Sequence, residues 1–352
     1  MNLENMMEEK LKRARQELDS DVRIALLGQP GAGKSSLINK LIGKRLFEVD
    51  VRTDTTVDMS EAKFGDLKIV DLPGYGTRMF PVDEWVEKFH PEEYDIYLFV
   101  FDGKLHESDA ELFDYLKKWQ SERSHPHFIV RNKLDQIWEE EKTLDELKSG
   151  IEKDVRDKMR DNTSAVYFVS CRQKIGLDTL KKAIFAADIH RVKKEKLKAY
   201  FVATTKDDLE DKKQICKGKV DNYALLGAAN AINPIPGVDM GLDLTIYFNM
   251  LSDIRKVFGI DEDLEAKVQK YQALAPVAKK VLDMATKEGI KVAAKQFISK
   301  ETEKTLAKYI PIIGQAFSAC AGYGMMQYAG NSYVDDCYTL AEAFLDSKAS
   351  EL

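Results

Sequence analysis

The chain has 352 residues and 44% hydrophobic content, enough to bury a core in each of two domains, and its formal net charge of −6 comes from 53 basic and 59 acidic residues. That balance excludes a general nucleic-acid binder, and the four dispersed cysteines, Cys171, Cys216, Cys320 and Cys337, have neither metal-ligand spacing nor disulfide-scaffold density. The cysteine usage points to a reducing cytoplasm; the charged stretch from Met1 to Asp21 lacks the apolar core of a signal peptide, so no secretory route is expected, and Asn2 stands where myristoylation needs a glycine, so no lipid anchor of the usual kind is expected.

Glu8 to Leu18 carries Leu11, Ala14 and Leu18 at helical spacing, which predicts an N-terminal helix that packs on a later element. The apolar run Val22 to Leu27 then predicts a strand. It feeds the turn Gly28-Gln29-Pro30-Gly31-Ala32-Gly33-Lys34-Ser35-Ser36, and Leu37 to Ile42 continues as an amphipathic helix. A strand ending in Gly-x-x-x-x-Gly-Lys-Ser and opening a helix points several backbone N–H groups at one anion, so this is a phosphate-binding loop. Lys34 is expected to reach the β- and γ-phosphates and the Ser35 hydroxyl to ligate Mg2+, a hard cation that prefers oxygen.

Arg45 to Ser60 has no clear period and holds Thr53, Asp54, Thr55, Thr56 and Asp58. It is placed as a nucleotide switch loop, in which Thr55 or Thr56 joins the magnesium shell when a γ-phosphate is present. The strand Leu67 to Leu72 delivers Asp71 to the carboxyl edge of a sheet as a magnesium carboxylate, and Gly74 follows so that its N–H can meet the γ-phosphate. The next residue is Tyr75, where many small GTPases place a water-orienting glutamine.

Tyr94 to Phe101 is nearly all apolar and predicts a strand buried on both faces of a parallel sheet, with Asp109 to Trp119 as its return helix and Trp119 in the core. His127 to Val130 predicts another strand, running into Asn132-Lys133-Leu134-Asp135. This is the base-reading pattern of GTP-binding proteins: the Asp135 carboxylate can accept N1–H and the exocyclic amine of guanine, and adenine offers no such donor pair. Asn132 and Lys133 brace that loop and cover the ring. A last strand, Ala165 to Val169, ends in Ser170-Cys171, a small-residue pair whose backbone N–H groups suit the guanine O6.

His190 to Lys219 is basic and helix-forming, with Lys193, Lys194, Lys196 and Lys198, and reads as a long connecting helix with a solvated face or a lipid-facing one. Tyr223 to Met250 contains Asn233-Pro234-Ile235-Pro236-Gly237, which predicts a helical hairpin turning at the prolines. Tyr309 to Val334 is the longest uncharged stretch, opening with Ile310-Pro311-Ile312-Ile313-Gly314. Its Gln315, Ser318, Gln327 and Asn331 favour a buried central helix, with Gly314, Gly322 and Gly324 permitting close packing, over a membrane span.

The ordered set Gly28 to Ser35, Asp71-Leu72-Pro73-Gly74 and Asn132-Lys133-x-Asp135 resembles the translation-factor-like class of P-loop GTPases. Within it, Asp71-Leu72-Pro73-Gly74-Tyr75-Gly76-Thr77, Phe80-Pro81 and Tyr94-Asp95, together with an Ile-x-Pro-x-Pro-Gly stretch, resemble the immunity-related (interferon-inducible) GTPases. Asn132 departs from the threonine of many members, and the myristoylation signal of some is absent. The expected architecture is an α/β, mostly parallel, doubly wound G domain over 21–189, with a helical segment over 1–20 and an all-α domain over 190–352. The resemblance implies Mg2+-dependent GTP hydrolysis to GDP, a GTP-dependent homodimer or homo-oligomer, Asp58 acting across the dimer, and work at intracellular membranes in cell-autonomous defence. No nucleic-acid partner is expected. The competing readings are a monomeric Era-like regulatory GTPase and a non-hydrolysing nucleotide-binding scaffold.

Overall fold

The computed structural model describes residues 3–48, 59–75, 81–90, 93–122, 126–161, 163–232, 241–260, 275–284 and 314–349. The chain divides into two compact units, one of residues 21–197 and one joining 1–20 to 198–352.

The first unit is built on a six-stranded sheet: β1 (Val22–Leu27), β2 (Ser60–Phe64), β3 (Leu67–Asp71), β4 (Ile96–Phe101), β5 (His127–Arg131) and β6 (Val166–Phe168), in the order β2-β3-β1-β4-β5-β6. Only β2 runs antiparallel, so the carboxyl ends of the other five strands share one edge. The chain leaves β1 toward β3 on one side and β4 on the other, and the crevice at that switch point is where open α/β sheets bind ligands. The residues of β4, Ile-Tyr-Leu-Phe-Val-Phe, are all buried, as a central parallel strand covered on both faces requires.

Helices α2 (Lys34–Ile42), α3 (Val82–Phe89), α4 (Glu107–Glu122), α5 (Leu144–Met159) and α6 (Leu177–Ala186) cover the sheet. One face is closed by Trp85, Phe113, Val155 and Met159 against Ala25, Val70, Tyr97 and Phe99. Helix α4 begins at Glu107, two residues before the predicted start, because the Asp109 carboxylate reaches back to the His106 N–H at 2.7 Å and caps the first turn. The Trp119 side chain lies outside the described residues.

The predicted connecting helix is two helices, α7 (Arg191–Tyr200) and α8 (Lys206–Ile232). The break is a cap: Thr205 Oγ1 accepts from the Asp208 N–H at 3.1 Å, and Asp208 Oδ2 accepts from the N–H groups of Thr204 at 2.8 Å and Thr205 at 3.1 Å. Several of its lysines pair with acids, Lys196 in a buried setting. Lys193 pairs with Asp95, Lys196 with the buried Asp66 at 3.4 Å, and Lys198 with Asp211 at 2.7 Å.

In the second unit α1 (Leu3–Asp19), α9 (Gly241–Val257) and α11 (Gly314–Ala349) pack on α8, and α10 (Ala275–Met284) packs on α11. Close approaches occur at Gly227, where an added Cβ would lie 2.5 Å from Met326 Sδ, and at Gly330, where it would lie 2.7 Å from Val220 Cγ1. The buried Lys212 donates to the carbonyls of Ala199 and Val257, at the last turns of α7 and α9. The predicted proline turn at 233–237 and the stretch 309–313 lie outside the described residues. Among the described residues no helix is long and apolar enough to cross a membrane.

Candidate active site

The phosphate loop leaves β1 at Gly28, whose φ of +133° and whose position 1.9 Å (as Cβ) from Val100 O admit no side chain. Ala32 is buried beneath the loop, and Gly31 at φ +79° completes the turn. Gly33 at φ +88° is the N-cap of α2, so the first-turn N–H groups of the helix face the loop. Lys34, 6% exposed, folds back so that Nζ donates to Gly28 O at 3.0 Å. Burial pushes its ammonium below the usual lysine range, and the Asp71 carboxylate opposes that. Ser35 Oγ donates to Asp71 Oδ2 at 2.7 Å, which joins the loop to the end of β3. The other oxygen, Asp71 Oδ1, is buried without a hydrogen-bond donor and lies 3.7 Å from Lys34 Nζ, a charge contact only. Ser36 is half-buried in the first turn of α2.

At the end of β5, Asn132 Nδ2 donates to Ala32 O at 3.0 Å, so the base-reading loop and the phosphate loop are bonded directly. Lys133 takes a left-handed conformation, φ +55°, and its ammonium pairs with Asp102 at the end of β4. The turn Leu134–Gln136 follows, and Asp135 accepts from Ser170 Oγ. That hydroxyl holds the Asp135 carboxyl below the ordinary aspartate range. The Ser170 N–H donates to Ile175 O at 3.0 Å in a two-residue bridge, while its hydroxyl is given to Asp135. Cys171 is buried beside this turn, and burial pushes its thiol up to about 11.

Gly74 is packed against Pro30, with an added Cβ 2.8 Å from Pro30 Cδ. Thr55, Thr56 and Asp58 lie outside the described residues. Tyr75 is 1% exposed, and its hydroxyl donates to Asp109 Oδ1 at 2.8 Å. It therefore turns into the core. Sequence reasoning did not single out Asp109; an acidic residue in the first turn of a helix is too common to be a signal.

Residues 2–351 match the family described as Interferon-inducible GTPase. Interferon-gamma-inducible GTPase 10 of Mus musculus is 23% identical over 347 residues, covering 93% of this chain and 81% of that protein. Interferon-inducible GTPase 1 of Mus musculus is 25% identical over 370 residues, covering 95% and 81%. The crystal structure of a probable GTP-binding protein, engB, superposes with a TM-score of 0.35 at 23% identity, over 47% of this chain and 97% of that one. Because the family match takes in both compact units, with the phosphate loop and the base-reading loop in their expected order, the chain belongs to the interferon-inducible GTPase family and binds and hydrolyses GTP.

Proposed function

We propose that this chain hydrolyses Mg2+-bound GTP in an assembly of its own copies, and that the assembly acts at intracellular membranes, from the cytoplasm, in cell-autonomous defence. The observation that carries the metal part is the pair Ser35 and Asp71. A hydroxyl and a carboxylate 2.7 Å apart at the phosphate loop, with one buried carboxylate oxygen lacking a donor, form a hard oxygen set that suits magnesium. Ser35 would hold the ion, Asp71 would support it, and Thr55 or Thr56 would join when the γ-phosphate is present. An ion held by these residues would supply positive charge against the phosphates.

The chain's own groups do the rest. Backbone N–H groups of Gly31 to Ser36 cradle the phosphates, with Gly28 at the base of the loop, Lys34 leaves Gly28 O for the β- and γ-oxygens, and the Gly74 N–H meets the γ-phosphate. Asp135, held by Ser170, accepts from guanine; Lys133 and Asn132 brace the ring side, and the Cys171 N–H serves O6. With Tyr75 buried, no side chain at that position orients the attacking water, which supports completion of the site by an acidic group such as Asp58 from a second copy. The family name supports the defence role.

The test is GTP turnover per molecule against protein concentration, with light scattering on the same samples, in magnesium and in EDTA, beside Lys34→Ala. Specific activity that rises with concentration, GTP-dependent scattering, and loss of both in EDTA and in Lys34→Ala are expected. Activity flat in concentration with unchanged scattering overturns catalysis in an assembly, and activity retained in EDTA overturns the metal assignment.

A further inference from the structure

The side chains of Gln29, Tyr75 and Asp109 contact no nucleotide group in the scheme above, yet they meet in one cluster. Asp109 is 1% exposed, and its carboxylate takes three donors from three segments. Oδ1 accepts from Tyr75 Oη at 2.8 Å and from Gln29 Nε2 at 3.2 Å, and Oδ2 accepts from the His106 N–H at 2.7 Å. Gln29 Nε2 also lies 3.5 Å from the Tyr75 carbonyl, a looser contact. One oxygen thus ties the phosphate loop to the segment that follows β3.

The same segment is held a second time. Trp85 Nε1 donates to Pro73 O at 2.9 Å, and the Tyr75 ring meets the Trp85 ring edge-on at 5.5 Å. Gly74 therefore sits between two fixed residues, with Pro30 against its α-carbon. A backbone N–H fixed in this way is pre-aimed, and preorganised donors avoid reorganisation when charge arrives.

We propose that Asp109 is a positioning residue for the γ-phosphate: by holding Tyr75 and Gln29 on one oxygen it fixes Gly74 against the phosphate loop, and so sets the chain's preference for GTP over GDP. This rests on the reading that the Gly74 N–H meets the γ-phosphate. GDP has no group at that place, so loosening Gly74 weakens the triphosphate alone. Damage to the fold or to the loop as a whole weakens both nucleotides.

The test is calorimetric titration of the full chain with GDP and with the non-hydrolysable analogue GMPPNP at fixed magnesium, for wild type, Tyr75→Phe, Asp109→Asn and Gly74→Ala. Tyr75→Phe removes one oxygen and keeps the ring against Trp85, so it decides the matter if Asp109→Asn does not fold. For Tyr75→Phe we expect GDP affinity within about twofold of wild type and GMPPNP affinity lower by about fivefold or more. Equal weakening of both nucleotides, or of neither, overturns the clamp. Gly74→Ala separates the two claims. If it selectively weakens GMPPNP while Tyr75→Phe does not, the clamp fails and the Gly74 reading stands; if it leaves the ratio unchanged, both fall.

Discussion

Replacing Gly33 with alanine tests whether the phosphate loop and the base-reading loop are one structure. Two costs can be worked out. Gly33 holds φ +88°, and a side chain in that left-handed region costs about 1–2 kcal/mol. The new Cβ would also lie 2.3 Å from Asn132 Nδ2. The amide must then move, giving up its 3.0 Å bond to Ala32 O, a net loss of about 0.5–1.5 kcal/mol. The expected destabilisation is therefore about 2–3 kcal/mol, of which about 1 kcal/mol belongs to Asn132. In an Asn132→Ala background the second cost has already been incurred, and Gly33→Ala should cost only the backbone strain. Trp85, Trp119 and Trp138, the chain's three tryptophans, all fall within residues 21–197, so tryptophan fluorescence in a denaturant titration reports that unit alone. A coupling near 1 kcal/mol between the two substitutions is the expected result. Equal costs of Gly33→Ala in both backgrounds would refute the steric link between the loops.

Two further substitutions address stability elsewhere. Lys212→Met keeps most of the side-chain stem but leaves the buried carbonyls of Ala199 and Val257 without their shared donor, at a cost of about 2–4 kcal/mol. Hydrogen exchange should quicken at the last turns of α7 and α9 and leave β1 to β6 unchanged; uniform exchange across the chain would contradict the local origin. Asp161 follows the end of α5. Burial raises its carboxyl pKa, but hydrogen bonds from Ser164 and Thr163 outweigh that and bring it down to about 2, against 3.8 ordinarily. A folded-state pKa below the unfolded one adds stability that is fully present above about pH 4 and is lost as the pH falls toward 2. The gap in denaturation midpoint between wild type and Asp161→Asn should be constant from about pH 7 to 5 and close below about pH 4. A gap that widens with acid would refute it.

The parts of the fold that were legible in the sequence are those where one physical demand acts on adjacent residues. Strands β1, β3, β4 and β5 show as apolar runs because they lie inside a parallel sheet. Strand β2, Ser-Glu-Ala-Lys-Phe, does not, since an antiparallel edge strand with one solvated side needs no such run. The break between α7 and α8 was hidden by the lysine-rich segments on either side of it, although Ala199 to Thr205 holds no lysine and Thr205 and Asp208 carry a cap signal. The helix contacts at Gly227 and Gly330 depend on which faces meet, and no local pattern states that.

The candidate site divides along the same line. Phosphate imposes one loop shape wherever it is bound, so Gly28 to Ser35 can be recognised from adjacent residues alone. What holds such a loop in place is under no comparable constraint, because any element that passes nearby can supply the side chain. Gln29 and Asp109 are 80 positions apart, and Tyr75 and Asp109 are 34 apart. Asn132 and Ala32 are separated by 100. Their meeting follows from the strand order β3-β1-β4-β5, which brings the ends of those strands and the first turn of α4 around one crevice. The residues assigned to the nucleotide are thus named by motif, whereas Gln29, Tyr75 and Asp109, which set how firmly the motif is held, are brought together by topology, and substitutions at Tyr75 and Asp109 are the ones that should separate GTP affinity from GDP affinity.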